Sequence, residues 1–290
     1  MTKKILTALF TILSILTNLV YGQNLEMYKI FTGQGKASDW KELVKNASKS
    51  DIVYFGEQHN DPICHWLQLK MAQELLTSSN QKLVLGAEMF ESDNQRTMTE
   101  YLEGLISQKN FETEMRLWPN YKTDYKPIVE WAKSNKLKII ATNVPRRYAN
   151  LVFRSGLEGL TSLSSDALND CAPLPIEFDI SLPGYSSMMD SSDPSHANEN
   201  LPKAQAIKDA TMAHFITKNL IKEGIFLHLN GAYHSDNKEG ILWYVNKYKP
   251  GLMQFTISTV SQDSLESLDQ ENLNKADFIL VIPSDFTKTH

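Results

Sequence analysis

The chain is constrained first by a rhythm. Short apolar, β-branched runs alternate with stretches that carry helical spacing. Strand-like runs are expected at 51–57, 82–88, 138–143, 225–230, 252–260 and 278–283. Between them, helical patterning falls at 62–76, 94–106, 125–134, from Arg146 onward, 202–222 and 239–247, with an earlier helix at 38–46. Strands alternating with helices imply an α/β fold with a mainly parallel sheet flanked by helices. From 155 to 200 the rhythm fails in a Ser-, Pro-, Asp- and Gly-rich stretch too long for an ordinary connection. It is read as a smaller cap, or lid, inserted after the third core strand.

Parallel sheets of this kind place their ligand site beyond the carboxyl ends of the strands. Those ends are where this sequence becomes polar. The first run, Ile52 to Phe55, breaks at Gly56 into Glu57-Gln58-His59-Asn60-Asp61-Pro62. If the strand persists, its period of two puts Glu57 and His59 on one side. Asn60 or Asp61 followed by Pro62 is a good helix start. The second run ends in Glu88, the third in Asn143, Pro145, Arg146 and Arg147, the fourth in Asn230, Gly231, Tyr233 and His234. Ionisable groups from separate strands thus meet at one edge.

Each candidate has a plainer alternative. Glu88 is either a functional carboxylate or half of an ion pair with Arg147. His228, inside its strand, reads as a hydrogen-bonded core residue. Gln205, Asp209 and Met212 share a helical face, and Gln205 and Asp209 read either as solvent-facing or as supports for the site. Tyr121 and Tyr125 lie before a helix, beside Trp118, and either line a pocket or dock into the core. Tyr185 precedes Met188 and Met189 in the lid, a combination suited to a flat apolar ligand. Cys64 and Cys171 belong to no metal or redox spacing. Whether they pair is left open.

Lys3 and Lys4, the apolar run from Ile5 to Val20 and the small residue Gly22 form a secretory signal pattern, with cleavage expected after residue 22. The mature chain, 23–290, is then exported, periplasmic or secreted, as a single domain. No cysteine follows the leader to be acylated. A net charge of −5 and a pI near 5.8 argue against nucleic acid as a partner.

Taken in order, Gly56-Glu57-Gln58-His59-Asn60-Asp61-Pro62, Glu88-Met89-Phe90-Glu91-Ser92-Asp93-Asn94-Gln95, Asn143-Val144-Pro145-Arg146, Ala204-Gln205-Ala206-Ile207-Lys208-Asp209 and Gly231-Ala232-Tyr233-His234 resemble the ChaN family. These are iron-regulated haem-binding proteins of the wider Tiki, TraB and erythromycin-esterase-like group. The resemblance covers roughly residues 50–260. It implies an α/β core with a helical cap, haem (iron) as ligand, a homodimer with two haems face to face, and an outer-membrane haem transport partner. It also implies a tyrosine phenolate on the iron, a hard anionic ligand suited to ferric haem. Tyr185 is the first candidate, with Tyr121, Tyr125 and Tyr233 as alternatives and His196 as the assisting histidine. Arg146 or Arg147 would pair with the propionates.

The same group contains metal-dependent hydrolases. Glu57, His59, Glu88 and His234 match the places of their active centre, where a divalent metal would activate water. A haem-binding protein for iron acquisition is therefore the leading expectation, and a metal-dependent peptidase or esterase the alternative. A binding module with a purely structural polar cluster comes third.

Overall fold

The computed structural model describes residues 26–80, 82–189 and 199–289. The leader and His196 lie outside the described residues. The strands are β1 (Lys29–Thr32), β2 (Ala37–Ser38), β3 (Ile52–Glu57), β4 (Leu83–Glu91), β5 (Lys138–Asn143), β6 (Ile225–Gly231), β7 (Gln254–Gln262) and β8 (Phe278–Pro283). They form one sheet in the order β2-β1-β8-β7-β3-β6-β4-β5. From β8 to β5 all pairings are parallel, and β1 pairs antiparallel with both β8 and β2. The fold is the expected α/β class. The β1–β2 hairpin at the edge was not expected. Its strands are too short to show a period against the mixed composition around them.

The helices are α1 (Trp40–Ala47), α2 (Pro62–Ser78), α3 (Gln95–Leu102), α4 (Gln108–Glu114), α5 (Lys126–Ser134), α6 (Arg146–Ser155), α7 (Ser165–Leu168), α8 (Pro183–Ser186), α9 (Asn200–Lys218) and α10 (Ile241–Tyr248). They cover both sheet faces. Strand residues of alternating parity feed two cores, as the pleat requires. Val53, Phe55, Leu85, Leu227 and Leu229 pack with α2 and α5. Ile52, Tyr54, Val84 and Phe226 pack with α6, α9 and α10. β3 and β6 are buried along their whole length, so both read as continuous apolar runs. Cys64 and Cys171 are buried free thiols in different cores.

Asp61 caps α2. Its Oδ1 accepts from the N–H groups of Ile63 and Cys64 at 3.0 Å each, with Pro62 in the first turn. Residues 157–186 pack down onto the second core through Leu160, Cys171, Ala172, Ile176 and Tyr185. That segment is a layer over α6 and α9. A single helix at 94–106 gives way to α3 and α4, because Gly104 takes a φ of +77° between them.

Gly86, in the middle of β4, is the tightest close approach in the sheet. An added Cβ would lie 2.5 Å from Cε1 of Phe226 and 3.0 Å from Cδ2 of His228. Gly86→Ala is therefore expected to cost about 1–3 kcal/mol by overpacking, read from the midpoint of urea unfolding. An unchanged midpoint would mean that the ring of Phe226 moves aside freely.

Candidate functional site

The carboxyl ends of β3, β4, β5 and β6 open into a cleft of about 500 Å³. Glu57, His59, Glu88, Asn143, Gly231, Tyr233 and His234 all line it, so the strand ends do converge. Its polar groups form two hydrogen-bonded clusters.

The first is built on Glu57, the last residue of β3, which is 2 % exposed. Its Oε1 lies 2.8 Å from Nδ1 of His59 and accepts from the Tyr125 hydroxyl at 2.7 Å. Its Oε2 accepts from Gln68 of α2 at 2.6 Å. His65 follows at 3.7 Å and joins Glu57 to Asp124, 3.5 Å from its other ring nitrogen. β3 ends at Glu57, so the pairing of Glu57 with His59 is made by the turn. With Nδ1 committed, His59 has Nε2 left for the cleft. Its ring lies over Gly231, where a Cβ would be 2.7 Å from Nε2. Trp118 meets the same ring edge-on at 4.9 Å.

The second cluster is built on Glu88, at 5 % exposure. Its Oε2 accepts from the Gly231 N–H at 2.7 Å, and its Oε1 is 3.3 Å from Nε2 of His234. Nδ1 of His234 lies 2.6 Å from Asp209 of α9. The other oxygen of Asp209 accepts from the Tyr185 hydroxyl at 2.6 Å. Asp209 is thus a support, as its helical face implied, and its partner is a strand-end histidine.

The charges follow from this geometry. Burial disfavours a charged His234, but the charges of Glu88 and Asp209 outweigh it and raise the pKa to about 10. Burial would raise Glu88, yet His234, His59 and the Gly231 N–H together hold it well below the usual carboxylate range. Burial opposes a charge on His59 as well. The hydrogen bond that its ring donates to Glu57 and the charge of Glu88 overcome it and raise its pKa. His228 lies between Thr142 and Asn230, and burial lowers it to about 4, a core residue as expected.

Several expected ligand residues stand elsewhere. Tyr185 is 2 % exposed with its hydroxyl given to Asp209, and burial and that carboxylate raise its pKa, away from a phenolate. Tyr125 is committed to Glu57. Tyr121 is equally buried. None of the three lines the cleft, whereas Tyr233 does, at 38 % exposure. Arg147 does not reach Glu88. It pairs with Asp93 at 2.7 Å and covers the Tyr148 ring, while Arg146 lines the cleft. Lys208, Gln58 and Glu91 line the cleft and were not singled out as site residues from sequence. Lys208 follows Gln205 by three residues on the same helix, which was the available signal. Among the described residues, no group of three or more His, Cys, Asp or Glu is placed to hold a metal ion. Glu57, His59, Glu88 and His234 are spent on carboxylate–imidazole pairs.

A family model described as haem-binding uptake, Tiki superfamily, ChaN matches residues 43–245. The chain belongs to the ChaN family. Among solved structures it is similar to one described as cofacial heme binding to ChaN of Campylobacter jejuni. That match has a TM-score of 0.66 and 18% identity, over 89% of this chain and 97% of that one. The type III effector HopBA1 is similar at a TM-score of 0.50 and 14% identity, over 83% and 91%. These likenesses concern the fold. Protein RETICULATA-RELATED 5, chloroplastic, of Arabidopsis thaliana is 24% identical over 152 residues, 50% of this chain. The match spans about a fifth, 20%, of that relative's length.

The buried pair makes stability depend on pH in a fixed sense. The raised pKa of His234 contributes stability that is complete below its ordinary value of 6.5 and is lost as pH rises through about 10. The lowered pKa of Glu88 contributes stability present above its ordinary 4.5 and lost as pH falls. His234→Gln is expected to cost about 3 kcal/mol at pH 7, with the gap to wild type narrowing toward pH 10. Urea unfolding of both proteins across that range checks it. A gap independent of pH would contradict the charged pair.

Proposed function

We propose that this protein is an exported haem-binding protein serving haem or iron uptake, with the haem seated in the strand-end cleft. The observation that carries this reading is the cleft itself, in a chain of the ChaN family. Its lining includes Trp118, Met188 and Tyr233, aromatic and thioether groups suited to a flat ring. Arg146 and Lys208 lie on its lining as partners for carboxylates.

The donor set fits ferric haem. The Tyr233 hydroxyl donates to the Gly184 carbonyl at 2.8 Å and lies 3.5 Å from Sδ of Met188, both on the segment before α9. Burial and the charges of Asp209 and Glu239 raise its pKa, so it is neutral without a metal. A ferric ion would be the largest local charge and would favour the phenolate. Of the tyrosines considered from sequence, Tyr233 is therefore the iron ligand of choice, with Nε2 of His59 as the nearby imidazole. Tyr185 supports the site through Asp209 and His234.

Export rests on the leader at 1–22. A homodimer closing over the cleft and an outer-membrane partner that delivers or receives haem complete the reading.

Titration of residues 23–290 with ferric haem tests it by absorption. The wild type is expected to give a saturable Soret band with phenolate charge-transfer features. Tyr233→Phe should lose those features, while Tyr185→Phe keeps them. Replacing both Arg146 and Lys208 by alanine should weaken binding about tenfold, through lost charge-assisted contacts. A featureless, non-saturating rise for the wild type would sink haem binding. Loss in Tyr185→Phe alone would return the iron to that residue.

A further inference from the structure

Among the described residues β5 is the last strand of the sheet, and no strand pairs with its outer edge. A groove of about 860 Å³ runs there, toward the end of β5 remote from Asn143. Its floor joins the rims of the two cores. Leu102 and Leu137 come from one side, Phe215 of α9 from the other, with Ile139 and Ile140 between them. This is the apolar seam left wherever a sandwich of helices and sheet ends without a closing element.

The rim carries Lys133, Lys136, Lys138 and Lys218 against one acid, Glu103. On a chain of net charge −5, that is a concentration of cations against the average. Lys133 sits 3.6 Å over the Tyr101 ring. Lys136, Lys138 and Lys218 enter none of the ion pairs among the described residues.

An exposed strand edge ordinarily invites another strand. Here Gln95 occupies that position. Its Oε1 accepts from the Ala141 N–H at 2.7 Å, and its Nε2 donates to the Ile139 carbonyl at 3.0 Å. One carboxamide thus takes the place of a neighbouring peptide group. What remains is an apolar trough with a cationic rim, which suits a molecule with an aliphatic body and one anionic head.

We propose that this groove binds a long-chain carboxylate, the aliphatic chain on the floor from Leu102 to Phe215 and the carboxylate among the rim lysines. Burial of the chain supplies the affinity, and the lysines select the head group. The site is separate from the cleft and does not depend on the haem reading.

Calorimetric titration of residues 23–290 with dodecanoate, below its micellar concentration, tests the proposal. Binding is expected at one molecule per chain. In a Lys136→Glu/Lys138→Glu variant it should weaken about tenfold or more, from attraction turned to repulsion. The arginine counterpart, Lys136→Arg/Lys138→Arg, should retain it, with thermal unfolding confirming that both variants fold. Absence of saturable binding to wild type overturns the proposal, as does equal affinity in the glutamate variant. Equal binding of dodecyltrimethylammonium would show that the rim does not select charge, and also overturns it. Binding to anionic phospholipid vesicles without binding of monomeric dodecanoate assigns the patch to a membrane surface instead. Displacement of dodecanoate by stoichiometric haem would place the molecule in the cleft.

Discussion

The site depends on one buried carboxylate. Glu88 lies in the buried part of β4, whose residues are otherwise apolar up to the partly exposed Glu91 at its end, and an ionised carboxylate there is costly unless fully partnered. Its partners come from β6, as the N–H of Gly231 and the imidazole of His234. Neutralising Glu88 thus fixes the carboxyl end of one central strand against another. His234 needs a second anion to remain charged in the interior, and Asp209 of α9 supplies it. Asp209 in turn takes the hydroxyl of Tyr185 from the segment packed over α9. Four parts of the chain are held in register by a single sequence of charge compensation.

Glu57 plays the matching role at β3, through hydrogen bonds from three elements. Gln68 and Tyr125 fill its oxygens from α2 and the turn before α5, and His59 is what it presents outward. Between the two clusters lies Gly231, which must be glycine because the His59 ring occupies the space a Cβ would take. The cleft thus combines these hydrogen-bonded polar groups with the aromatic and sulfur-bearing side chains of Trp118, Met188 and Tyr233.

Much of this was legible in the sequence because strand ends are marked chemically. Runs such as Ile52 to Phe55 stop at Gly56, and the polar residues just beyond them can only sit at the sheet's carboxyl edge. Glu57, His59, Glu88 and His234 were found in this way. Pairing across elements was not legible. Periodicity shows that Asp209 shares a face with Gln205, but not that this face meets His234. Tyr185 was the first ligand candidate because the resemblance implies a tyrosine in the lid, yet its burial depends on how 157–186 folds onto α9, a packing with no periodic signature. Arg146 and Arg147 are adjacent, and helical rotation sends one to the cleft and the other to Asp93. The β1–β2 hairpin and the Gln95 plug on β5 are likewise tertiary, made by residues that look ordinary in isolation.

The most direct test of the account is to locate the iron. Crystals of residues 23–290 grown with ferric haem, measured at the iron absorption edge, give its position without assumptions about the ligand. The anomalous peak is expected in the cleft between His59 and Tyr233, close to the Tyr233 hydroxyl. A peak beside Tyr185, in the groove along β5, or at neither place would contradict it.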